Sequence, residues 1–186
     1  MKKLILFLSV LLFAHDSPYS LDKFKPILNN AKLQAPTSKY NPLYSVKYGK
    51  FNAYENKYFY LQDNDLMVFY MCKKHNRSEL RFKNNWYIND NKEKILYANL
   101  KIFPLNSNEF TFLQIHSDNN LCDVNKPLLR VAFIKKRNKI KNSIWAIIRV
   151  SPYENGYKKI FLGKNEGFMK IKILKNAKNY DNKENL

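Results

Sequence analysis

Arg77-Ser78-Glu79-Leu80-Arg81 and Gln114-Ile115-His116 are the stretches of this sequence best equipped for chemistry. If each is a strand, side chains alternate between faces. Arg77, Glu79 and Arg81 then share one face, while Ser78, Leu80 and Phe82 take the other. A carboxylate between two guanidinium groups orients their donor forks and leaves N–H groups free to grip another carboxylate. The same row also reads as an exposed salt-bridge ladder, which contributes little energy. In the second stretch Gln114 and His116 share a face, and Leu113 and Ile115 turn to the core. A neutral imidazole is a suitable general base near neutral pH. The Gln amide donates to a carboxylate without adding charge. Phe110 and Phe112 precede them in the polar register, where their rings would floor a cleft. A single His on a strand is also compatible with a structural role.

Strands are what must position these groups. Leu21 to Leu33 reads as one or two helical turns, with Phe24, Ile27, Leu28 and Ala31 at helical spacing, and Pro36 stops it. Pro42 keeps the next stretch extended. Strands then follow at Tyr58–Leu61, Leu66–Cys72, Arg77–Phe82, Ile95–Phe103, Glu109–His116, Leu128–Lys135, Ile144–Val150, Lys159–Leu162 and Phe168–Leu174. Gln62-Asp63-Asn64-Asp65 is a hairpin turn, and Asn155-Gly156 is a favoured tight-turn pair. Many short strands and no long helical period argue for an all-β sandwich of jelly-roll type.

Composition narrows the partner. The chain has 186 residues and a formal charge of +18, from 33 Lys and Arg against 15 Asp and Glu. With 45% hydrophobic and 15% aromatic residues it can build a core, which excludes a disordered polymer. A field of this sign concentrates polyanions, although the Lys- and Asn-rich usage throughout is also compatible with coding bias. Lys2, Lys3 and the apolar run Leu4 to Ala14 have the form of a secretory signal, too short to span a bilayer. A periplasmic or secreted location follows, with no stable membrane insertion after signal removal and no nucleic acid as partner. Cys72 and Cys122 allow one disulfide in an oxidising compartment. Three His and two Cys without ligand spacing predict no metal site.

The two stretches together resemble the alginate lyases of polysaccharide lyase family seven. The likeness extends to Lys32-Leu33-Gln34-Ala35-Pro36-Thr37-Ser38, to Tyr58-Phe59-Tyr60-Leu61 through Met67-Val68-Phe69, and to Asn76-Arg77-Ser78-Glu79-Leu80-Arg81. It continues through Gln114-Ile115-His116 and Lys126-Pro127-Leu128-Leu129-Arg130-Val131, and covers residues 24–174 in the family's order. The resemblance implies a jelly roll whose concave sheet holds an anionic polyuronate and cleaves it by β-elimination without a cofactor. It implies that Arg77 and Gln114 neutralise the uronate carboxylate, that His116 takes the C5 proton or assists the group that does, and that Glu79 and Arg81 contact neighbouring sugars. Lys170 and Lys172, alternating with Met169, Ile171 and Ile173, are expected to add cations for the polymer.

The family's third motif, Tyr-Phe-Lys-Ala-Gly, has no counterpart here. Tyr180, in Asn179-Tyr180-Asp181, lacks matching neighbours. This departure implies a chain truncated at its C-terminus, without its last strands. It also implies an alternative function, a catalytically inactive polyuronate-binding jelly roll or lyase remnant. The expected organisation is a signal peptide over 1–20, a lyase-like domain over 21–174 and a polar tail over 175–186, acting as a monomer.

Overall fold

The computed structural model describes residues 16–71, 76–83, 90–117, 125–151 and 156–175. The expected signal segment as far as His15, Cys72, His75, Cys122, Asn155, Tyr180 and the tail beyond Lys175 lie outside the described residues. The chain folds as two compact units, Met1–Trp86 and Tyr87–Leu186.

In the first unit, 3-10 turns at Pro18–Ser20 and Asp22–Phe24 lead into α1 (Lys25–Asn29). Pro26 sits in the first turn of α1, where its fixed φ suits the helix and its missing N–H has no intrahelical role. The helix ends at Asn29, short of Ala31, because the following residues obey a period of two. In β1 (Ala31–Ala35) Ala31, Leu33 and Ala35 are buried and Lys32 and Gln34 are not. That strand, read from sequence as the last helical turn, lies between β2 (Tyr44–Val46) and β5 (Glu79–Phe82), both antiparallel to it. β3 (Phe59–Gln62) and β4 (Leu66–Phe69) form the expected hairpin. Its turn puts Asp63 and Asn64 at φ 53° and 50°, a left-handed conformation that Asp and Asn tolerate. Leu28, Leu33, Ala35, Val46, Phe51 and Phe59 make this unit's core, and Leu80 of β5 packs against it.

The second unit is a two-layer sandwich. One layer runs β10 (Tyr157–Lys164), β9 (Ile140–Arg149), β8 (Pro127–Arg137), β7 (Glu109–His116); the other pairs β11 (Phe168–Lys175) with β6 (Lys94–Lys101). All pairings are antiparallel. Val131, Phe133 and Ile144 are buried between the layers, with Leu113 and Phe110 on one side and Met169, Ile171 and Ile173 on the other. Phe112 joins this core as well. The rings of Phe110 and Phe112 therefore do not floor a cleft. A one-residue bulge between Thr111 and Leu113 lets Phe112 and Leu113 both serve the core.

β8 and β9 extend past the core as a long hairpin. Asn138 and Lys139, at φ 47° and 68°, close a two-residue turn between the paired Arg137 and Ile140. Its polar arms, Lys136 to Arg137 and Lys141 to Ser143, carry no apolar alternation, so the sequence reads there as linker.

Candidate functional site

β5 presents the Arg-Glu-Arg row. The Glu79 carboxylate lies 3.4 Å from Nη1 of Arg77 and 3.8 Å from Nε of Arg81. Leu80 between them is drawn into the core, which holds Glu79 and Arg81 outward. Ser78 anchors the approach to the strand by donating to the carbonyl of Tyr58 at 2.9 Å. Both arginine side chains remain nearly half exposed, at 47% and 45%. One acid thus orients two cations whose remaining donors face water, an arrangement suited to anions presented in a line.

Two partners of this row were not singled out from sequence. Gln34 of β1 stands opposite Glu79, and its Oε1 accepts from Nη1 of Arg81 at 3.5 Å; Lys32 stands opposite Arg81. The signal for both is the alternation Ala31, Leu33, Ala35 against Lys32, Gln34, which marks a strand with one polar face.

Gln114 and His116 lie on β7, the end strand of its sheet among the described residues. Gln114 is exposed and pairs in register with Arg130 of β8. Arg130 donates to Oγ1 of Thr111 at 3.2 Å and lies 3.8 Å from the Glu109 carboxylate, which also faces Lys159 at 3.9 Å. Gln114, Thr111, Glu109 and Arg130 therefore form one polar surface, with Leu113 on the opposite, core side. The face of Arg130 cannot be read from sequence, because β8 is apolar on both sides through Val131 to Ile134.

His116 is half-buried and fixed through its backbone neighbours. Its Nδ1 lies 2.8 Å from the carbonyl oxygen of Ser117. A carbonyl only accepts, so Nδ1 carries a hydrogen, and a neutral ring then keeps its lone pair on Nε2. Ser117 is held in turn by donating its hydroxyl to the carbonyl of Lys126 at 3.2 Å. Pro127, paired with His116, accepts from Nε of Arg149 at 3.4 Å. These contacts set the ring's tautomer and brace the strand end that carries it.

Lys170 and Lys172 are placed elsewhere in the second unit. Met169, Ile171 and Ile173 face the core, so the two lysines point outward from β11, on the face of the sandwich opposite Gln114. Among the described residues no group of three or more His, Cys, Asp or Glu is arranged to hold a metal ion.

Comparison with known proteins agrees with this architecture. The model of the alginate lyase family matches residues 27–176. An alginate lyase of Photobacterium sp. (strain ATCC 43367) is 32% identical in an alignment 150 positions long that covers 71% of this chain and 53% of that protein. The chain thus spans about half the length of this curated relative. Among solved structures, alginate lyase AlyC3 superposes with a TM-score of 0.76 at 27% identity, covering 89% of this chain and 77% of its own. AlyC3 in complex with dimannuronate gives 0.75 at 26% identity, over 89% and 76%. Alginate lyase PA1167 from Pseudomonas aeruginosa shares the fold, at TM-score 0.62 and 18% identity over 79% and 72%. The β-sandwich, the Arg-Glu-Arg row and the Gln-Ile-His strand all fall inside the matched span, and the chain belongs to the alginate lyase family.

Proposed function

We propose that this protein cleaves an alginate-type polyuronate by β-elimination. The observation that carries the reading is the Nδ1 contact of His116 with the Ser117 carbonyl, which leaves Nε2 as a base on a strand that also carries an exposed amide donor, Gln114. Family membership and the dimannuronate bound by AlyC3 support the choice of substrate class.

The chemistry follows from the substrate. A uronate C5–H is weakly acidic until the adjacent carboxylate is neutralised and its enolate stabilised. Gln114 donates to that carboxylate without adding charge, and in the first unit Arg77 offers a guanidinium to uronate carboxylates. His116 Nε2 takes the C5 proton. The C4–O4 bond breaks as the C4=C5 double bond forms, and O4 leaves with one proton, delivered by the imidazolium or by water. Within the first unit Glu79 holds Arg77 and Arg81 in position, and Arg81 contacts uronate carboxylates. The protein acts as a monomer, and outside the cytoplasm, as Lys2, Lys3 and the apolar run to Ala14 suggest.

The test is the mass of the products. β-Elimination gives fragments whose masses sum to that of the cleaved chain, with one unsaturated end, whereas hydrolysis adds one water per cut. Products carrying the added water would refute the proposal.

A further inference from the structure

The outward face of the β6–β11 sheet carries rings and cations in register. Phe168 pairs with Lys101, Lys170 with Asn99 and Lys172 with Tyr97. Each of these three rungs therefore holds an ammonium, two of them beside an aromatic ring and the third beside an amide, and the next outward rung pairs the exposed, apolar Leu174 and Ile95. Successive rungs on one face lie about 7 Å apart along a strand. Tyr97 is 57% and Phe168 60% exposed, high for rings grouped on one face. Lys101 reaches over the Phe168 ring at 5.7 Å. Neither strand contains an acidic residue. Among the described residues, Lys101, Lys170 and Lys172 have no carboxylate partner, whereas Asp90 holds the inward Lys94 and Lys175.

We infer that this face is a second polyuronate-binding platform, separate from the His116 strand and devoid of chemistry of its own. The inference rests on the polyuronate reading above. Rings standing on a flat sheet suit the apolar face of a pyranose, and the ammonium on each of the three charged rungs meets a carboxylate of the same polymer. A membrane-docking surface separates its apolar and charged sides; here ring and ammonium share a rung at both Phe168–Lys101 and Lys172–Tyr97. The platform faces away from Gln114, so a polymer held there keeps further chain at high local concentration for the reactive strand.

Two double variants of the full chain test this, Lys170→Gln with Lys172→Gln and Tyr97→Ala with Phe168→Ala. All four residues are outward, so an unchanged unfolding midpoint is expected. Retention in a gel containing long-chain sodium alginate should weaken about tenfold in each. The rate of cleavage of short oligouronates should stay that of the unsubstituted protein. Unchanged retention in both variants would overturn the platform while leaving the lyase reading intact. A matching loss of oligouronate cleavage would also overturn it, because the residues would then belong to the reactive site. So would capture by phosphatidylglycerol vesicles that falls with the same substitutions while alginate retention does not. An unsubstituted protein that neither binds nor cleaves alginate would remove the lyase reading and the platform together.

Discussion

Nδ1 of His116 lies 2.8 Å from the carbonyl oxygen of Ser117, the next residue in the chain. Because Ser117 is itself fastened to Lys126 across the strand end, the imidazole is held with one nitrogen occupied and the other available. A base positioned by backbone contacts loses little freedom when substrate arrives, which is the condition for efficient proton transfer.

Replacing that base isolates its role. His116→Ala should lower kcat on alginate by about 100- to 10,000-fold, the usual worth of a positioned general base, while KM changes little. Ser117→Ala removes the hydroxyl brace to Lys126 and should cost a smaller part of kcat. Steady-state kinetics on both variants check this; equal losses in the two would mean that His116 serves the fold rather than the reaction.

The Arg-Glu-Arg row should behave as an anion grip. Arg77→Ala is expected to impair both KM and kcat, whereas Arg81→Ala should act chiefly on KM. Glu79→Gln frees both guanidinium groups from the acid that orients them, 3.4 Å and 3.8 Å away. It should weaken binding despite raising net positive charge. Affinity measured across a salt series checks the sign, since a simple charge-count effect would make Glu79→Gln bind more tightly.

Much of this arrangement is legible in the sequence because periodicity reports burial. β7 is bounded at Glu109 and His116 in both readings, since polar and apolar residues alternate on either side of Phe112-Leu113 up to the chemistry-bearing end. The bulge at Phe112 leaves only a faint mark, the shift of the polar positions from Glu109 and Thr111 to Gln114 and His116 across the successive apolar Phe112 and Leu113. The roles of Lys170 and Lys172 divide in the same way. Alternation reveals that they share a face with each other, but which layer of a sandwich that face belongs to depends on long-range packing. β1 was hidden by its neighbours, since Leu28 and Ala31 fit helical spacing until the burial of Leu33 and Ala35 establishes a period of two.

Asp90 ties the ends of β6 and β11, accepting from Nζ of Lys175 at 2.6 Å and facing Lys94 at 3.2 Å. Chiefly through the Lys175 hydrogen bond its carboxyl is lowered from 3.8 to about 2. The unfolded chain therefore binds the extra proton first on acidification. This contribution is complete above the ordinary carboxylate value and is lost as pH falls from 3.8 towards about 2. Asp90→Asn should lower the unfolding midpoint at neutral pH and flatten its fall across that acid window. A variant curve parallel to that of the unsubstituted protein would contradict the assignment.

The core of the second unit rests on Phe133, 1% exposed and tilted 31° against the Phe110 ring at 5.5 Å between centroids. Phe133→Ala should destabilise by about 3–5 kcal/mol through lost burial and the cavity left behind. Denaturant unfolding followed by circular dichroism reads this directly, and a loss below about 1 kcal/mol would mean that the two layers do not pack through this ring.

The most direct test of the central claim is the ultraviolet absorbance of the unsaturated uronate, followed with alginate for the unsubstituted protein and for His116→Ala side by side. A steady rise in the first, abolished in the second while alginate binding persists, is the predicted result. A flat trace from folded, alginate-binding, unsubstituted protein would contradict it, and would make the chain a member of the family that grips polyuronate without cutting it.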